Sequence, residues 1–150
     1  MKVSDILRVK GHTLFTTSPG AALWHAVQTM AENDIGSVVV MDRGQLAGML
    51  TFREVLRTVH ANGGLVGDAT VGAVMDRQPL TVASGTDVTL LRPLMLEQHS
   101  RYVPVMDGGV LMGVVSFYDV ARAVLDEQGF ENKMLKAYIR DWPEPDAPAA

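Results

Sequence analysis

The chain is 150 residues long, 47% hydrophobic and 20% charged, an ordinary globular composition for one compact domain or two small units. Its net charge of −4, with no run of Lys and Arg, excludes the basic footprint that nucleic-acid binding requires. The absence of cysteine excludes disulfides, thiolate zinc sites and a thiol nucleophile.

Met1-Lys2 leads straight into Val3-Ser4-Asp5-Ile6-Leu7, a short helical leader with no apolar signal core, so a cytoplasmic protein is expected. A brief strand follows at Leu14–Thr17, and Ser18-Pro19-Gly20 marks the turn into a helix. Leu23, Val27, Met30 and Ala31 recur at helical spacing along it. Ser37–Met41 and Gln45–Leu50 are two apolar runs joined by Asp42-Arg43-Gly44, the signature of a hairpin. The run Val38–Met41 suits a buried strand and is far too short to span a bilayer, so no membrane partner is expected. A closing helix over Phe52–His60 ends at the linker Ala61-Asn62-Gly63-Gly64.

The same order then returns. Val71-Gly72-Ala73-Val74-Met75 repeats the leader, Leu80–Ala83 the strand, and Ser84-Gly85-Thr86 the turn. Val88, Leu91, Met95 and Leu96 mark the helix, Tyr102–Met106 and Val110–Val115 the hairpin around Asp107-Gly108-Gly109, and Phe117–Glu127 the closing helix. At a shift of 65, fifteen of the forty-four pairs from Thr16 to Val59 are identical, where average composition gives roughly three. Gly20/Gly85, Met41/Met106, Asp42/Asp107, Gly48/Gly113 and Phe52/Phe117 are among them. The chain is a duplication, and two β-α-β-β-α units of this size are expected to pack together and share a core.

Each copy closes on Gly-x-x-Ser/Thr-x-x-Asp/Glu: Gly48 to Glu54 with Thr51, and Gly113 to Asp119 with Ser116. With the Val-x-x-Ile/Val-Leu/Met leader and the Val-Met-Asp hairpin, this pattern resembles the cystathionine-β-synthase (CBS) domain family over about residues 3–127. The resemblance implies an α/β (α+β) fold, two CBS repeats packed as a pseudo-two-fold pair with a C-terminal helix. Repeat 1 is expected over residues 1–62, repeat 2 over 63–128, and the helix and tail over 129–150. It also implies a stand-alone regulatory module of the Bateman type without catalysis. The expected ligand is AMP, ADP or ATP, with S-adenosylmethionine as another adenosine ligand, held in clefts between the repeats, and no cofactor is required.

The motif suits a nucleotide chemically. A glycine in the last strand lets a ligand or a neighbouring backbone approach closely. Thr51 and Ser116 stand at helix N-termini, where unpaired N–H groups attract phosphate, and the carboxylates of Glu54 and Asp119 match the paired hydroxyls of a ribose. The same residues also read as helix capping sequences, and both roles stay open. Glu54 departs from the usual Asp by one methylene. The candidate ligand-binding set is Thr16, Val39, Thr51, Glu54, Thr81, Val82, Arg101, Val103, Ser116 and Asp119, in which Val39, Val82 and Val103 would sandwich the base. Arg101, with His99, offers a cation before the second hairpin, where Asp34, Ile35 and Gly36 offer none, so the second motif is expected to bind more tightly. His12, His25 and His60 lack metal-ligand spacing, and the nine methionines fall at core positions.

Beyond the repeats, Phe130, Met134, Ala137, Tyr138 and Trp142 form an apolar helical stripe ended by Pro143, a candidate contact for a homodimer. Pro143–Ala150 is expected to be disordered. The competing function is a ligand-free CBS pair that serves as an oligomerisation or docking module for an unidentified protein partner. An enzyme is not expected: CBS pairs are inserted in inosine monophosphate dehydrogenases, but the repeats and tail leave no room for a barrel, and no cysteine is present.

Overall fold

The computed structural model describes residues 1–11 and 13–138, with residues 128–138 as backbone only. The first repeat comprises α1 (Val3–Lys10), β1 (Thr16–Thr17), α2 (Leu23–Glu32), β2 (Ser37–Asp42), β3 (Gln45–Thr51) and α3 (Phe52–Ala61). The second comprises α4 (Val71–Val74), α5 (Val88–Gln98), β4 (Tyr102–Asp107), β5 (Val110–Ser116) and α6 (Phe117–Tyr138). This is the duplicated α+β order read from the sequence.

The two hairpins are copies of one another. β2 pairs antiparallel with β3, and β4 with β5, with the register shifting between Val40 and Met41 and at the matching step between Val105 and Met106. The tight loops Arg43-Gly44 and Gly108-Gly109 have positive φ at both residues, 52° and 78° in one and 55° and 82° in the other. Positive φ at both central positions is the turn whose twist matches a two-residue hairpin, and glycine carries it at low cost.

The first strands are not copies. β1 runs parallel to β2, with the Val39 N–H donating to the Phe15 carbonyl at 3.2 Å. The strand expected at Leu80–Ala83 is reduced to a single bridge between Val82 and Val105. The cause is one residue: Pro104 stands where the first repeat has Val39, and proline has no N–H for that rung.

The repeats do not share one core. They interlock by exchanging leaders. Val3, Ile6 and Leu7 of α1 pack among Val82, Val88, Leu91, Met95, Val103 and Val115 of the second repeat. Val71 and Met75 pack among Leu23, Ala26, Met30, Val38, Val40 and Leu50 of the first. The backbone bonds are equivalent as well: Val3 N–H to the Thr86 carbonyl and Val71 N–H to the Ala21 carbonyl, both 2.9 Å. Each two-layer unit is too small to bury its apolar face alone, and the borrowed helix completes the cover. The close approach falls on the motif glycines. A Cβ on Gly48 would lie 2.4 Å from the Asp76 carbonyl oxygen, and one on Gly113 would meet Leu7 Cδ2 at 2.9 Å. Here these glycines admit the exchanged leaders.

The closing helix and the apolar tail stripe, expected as separate helices, are one continuous helix, α6. Gly129 lies inside it, and one interior glycine costs only about 1 kcal/mol, too little to end a helix. Trp142 and Pro143–Ala150 lie outside the described residues.

Candidate nucleotide cleft

The exchange of leaders decides what meets what. Two clefts lie between the repeats, and each joins the closing motif of one repeat to the segment before the first strand of the other. The larger, of about 1140 Å³, is walled by Thr13, Leu14, Phe15 and Ile35–Ser37 from the first repeat. Facing them are Ser116, Phe117, Tyr118 and Ala121 at the start of α6, with His99–Tyr102 beside them and Lys10 at the rim. The smaller, of about 40 Å³, joins Thr51, Arg53 and Glu54 to Pro79, Leu80 and the same His99–Tyr102 segment. The first exceeds the 300–1,000 Å³ typical of small-molecule sites, whereas the second has room for about one water molecule.

Both motifs fold as capping boxes, and they differ in what else the carboxylate does. Thr51 caps α3 by accepting from the Arg53 N–H at 3.2 Å, while its own N–H and hydroxyl both donate to Glu54 Oε1 at 2.9 Å. Arg53 Nε takes the other oxygen at 3.2 Å, so Glu54, 6% exposed, is held on both oxygens. In the second motif, Ser116 Oγ accepts from the Asp119 N–H at 3.0 Å, and the Ser116 N–H donates to Asp119 Oδ2 at 2.9 Å. Lys10 Nζ donates to the same Oδ2 at 2.8 Å and to the Val114 carbonyl at 3.0 Å. Among the described residues both bonds to the Asp119 carboxylate fall on Oδ2, which leaves Oδ1 for a donor from outside. Burial pushes the Asp119 carboxyl up, but the hydrogen bonds from Lys10 and Ser116 outweigh it and hold the group below the usual carboxylate range. Asp119 therefore stays ionised near neutral pH, as a grip on hydroxyl groups needs.

The structure places the sequence candidates unevenly. It gathers Ser116 and Arg101 in the lining of the large cleft, with Asp119 bonded to the lining residues Ser116 and Lys10. It gathers Thr51, Glu54 and Arg101 in the small one. Val39 in β2, Val103 in β4 and Val82 at its single bridge are buried and line neither cleft. Thr16 and Thr81 are exposed, and they too lie outside both linings. Sequence reasoning missed Lys10, Leu14, Phe15 and Ile35. An apolar wall beside the large cleft comes from Leu14, Phe15 and Ile35 of the opposite repeat. Among the described residues no group of three His, Cys, Asp or Glu side chains is arranged to hold a metal, and no helix is long and apolar enough to cross a membrane.

Two such motifs on interlocked, duplicated units are a family architecture, and a model of the CBS domain matches residues 3–61 and again residues 71–126. The chain belongs to the CBS domain family. It is a tandem CBS pair. It is 32% identical to the Arabidopsis thaliana CBS domain-containing protein CBSX3, mitochondrial, spanning 92% of this chain and 71% of that protein. The structure of the CBS domain NE2398 superposes with a TM-score of 0.78 at 30% identity, over 83% of this chain and 98% of that one. CBSX2, solved in complex with AMP, superposes with a TM-score of 0.70 at 25% identity, over 85% of this chain and 98% of that one.

Proposed function

We propose that this CBS pair is a regulatory module that binds an adenosine nucleotide in the large cleft and carries out no catalysis. The observation that carries it is a 1140 Å³ cleft where an apolar wall faces a capped helix N-terminus with an ionised aspartate behind it. The adenine packs between Leu14, Phe15 and Ile35, and the ribose hydroxyls donate to Asp119. The phosphate takes the Ser116 hydroxyl, the N-terminal N–H groups of α6 and the nearby cation Lys10. These groups hold and orient a ligand. The AMP bound by CBSX2 supports the ligand class.

Melting curves with AMP, ADP, ATP and S-adenosylmethionine test the reading. A ligand at a hundred times its Kd stabilises the folded state by about 2.7 kcal/mol. For a chain of this size that corresponds to a rise of roughly 5–10 °C. Flat curves for all four ligands remove the nucleotide and leave a docking module.

We further propose a homodimer. Trp24 on α2 and Leu90 and Leu94 on α5 are exposed, Leu90 at 65%, more apolar surface on these two helices than solvation favours. Light scattering is expected to give twice the mass of one chain, falling to one chain in Leu90→Glu with Trp24→Glu. A single-chain mass for the unaltered protein overturns the dimer.

A further inference from the structure

The two clefts have the same plan, yet one is open and the other nearly filled, and the difference lies in two pairs of residues. Gly36 and Ser37 enter the first hairpin where Arg101 and Tyr102 enter the second, 65 positions on. The backbones there match. Asp34 and His99 both have φ of 52°. The Ile35 N–H donates to Met30 at 3.0 Å, and the Ser100 N–H to Met95 at 2.9 Å. The Phe52 N–H donates to Gly36 at 3.2 Å, and the Phe117 N–H to Arg101 at 2.7 Å.

The side chains do not match. The Tyr102 ring stands edge-on to Phe52, with centroids 6.1 Å apart at 89°. Its hydroxyl occupies the spot beside Gly36, where an added Cβ would lie 1.9 Å from that oxygen. Only glycine at position 36 admits it. Arg101 lies over the same Phe52 ring, its guanidinium carbon 5.4 Å from the centroid, within cation–π range. Phe52 follows Thr51 directly, and Arg101 and Tyr102 line the cleft of about 40 Å³ together with Thr51 and Glu54. The large cleft has Gly36 and Ser37 at the corresponding place.

We infer that Tyr102 and Arg101, seated on Phe52 and Gly36, close a second, latent nucleotide site at Thr51 and Glu54, so that one chain binds one nucleotide. The ligand class rests on the proposed function, whereas the closure stands on the geometry alone. Two measurements separate them. The chain has no cysteine, so Leu80→Cys places a single thiol in the small cleft. Its labelling by a thiol reagent without nucleotide is expected to be slow, and at least tenfold faster once Tyr102→Ser is added. Arg101→Gly, the residue the first repeat carries, serves as a second opening change, and circular dichroism verifies that each variant is folded. Equal labelling rates with and without these changes overturn the closure. Calorimetry with AMP then counts sites. One AMP per chain is expected for the unaltered protein and two for Tyr102→Ser, the second lost again on Glu54→Ala. Two AMP per unaltered chain overturn the inference and spare the nucleotide. No AMP at all removes the nucleotide reading and with it the ligand assigned to the latent site, and the labelling rates still decide the closure.

Discussion

Asp119→Ala is expected to weaken nucleotide binding by about a hundredfold, while Glu54→Ala leaves the affinity within about threefold of the unaltered protein. A hydrogen bond to a charged group contributes about 1.5–3 kcal/mol, and a ribose offers Asp119 two hydroxyls, so losing even one such bond costs tenfold or more. Glu54 has both oxygens engaged by Thr51 and Arg53 and stands in the cleft of about 40 Å³. An acceptor position remains on Oε2, but the closed cleft leaves no room for a nucleotide to reach it. The two carboxylates are equivalent in sequence, so a difference in their substitution effects isolates the geometry. Both variants lose a capping box, worth about 1 kcal/mol, and both should remain folded. Calorimetry with AMP on the pair decides it. Loss of binding in Glu54→Ala with retention in Asp119→Ala places the ligand at the other motif and sinks the assignment.

The expected asymmetry is partly legible in the sequence. The shorter Asp119 and the cation at Arg101 favour the second motif on sequence grounds alone. The actual arrangement differs in its parts. Arg101 lies on the ring of Phe52 and borders both clefts, while the cation bonded to Asp119 is Lys10, from the other end of the chain. Repetition reveals which segments are alike. It does not reveal against which copy each one packs, and the exchange of α1 and α4 is therefore invisible in spacing. Leu14, Phe15 and Lys10 escaped notice for that reason, since they reach the second motif only through the exchange.

The apolar candidates failed differently. Val39 and Val103 lie in apolar runs buried at three successive positions, and Val82 in a short apolar segment, so no alternation marks a face that meets a ligand. All three went to the cores. By contrast, the hairpins and the capping boxes were readable, because each depends on residues within a few positions of one another. The shortened strand before α5 was not read, although its signal is local. Pro104 in the place of Val39 is a local signal, and its missing N–H removes one rung.

The exchanged leader also sets the largest expected loss of stability, at Gly48→Ala. The new Cβ would stand 2.4 Å from the backbone oxygen of Asp76, with Met75 Sδ at 3.0 Å and Met75 Cγ at 3.2 Å. A side chain could rotate away, but a carbonyl cannot move alone. The two backbones are tied by reciprocal bonds, Met49 N–H to Asp76 at 2.9 Å and Asp76 N–H to Met49 at 2.8 Å. Relief of the clash must stretch that pair and lift Met75 out of the first core, where it packs with Leu23 and Leu50. Overpacking costs about 1–3 kcal/mol and a weakened backbone bond about 0.5–1.5 kcal/mol more, so a loss of roughly 2–4 kcal/mol is expected. The melting temperature should fall by roughly 5–15 °C. Gly20→Ala and Gly85→Ala are the controls, since a Cβ at either meets nothing within 4 Å. They should lie within about 0.5 kcal/mol of the unaltered protein. Thermal and urea unfolding of the three variants measures the contrast. If Gly48→Ala melts with the controls, the close approach of the α4 segment to β3 is wrong, and the leader exchange loses its support on that side.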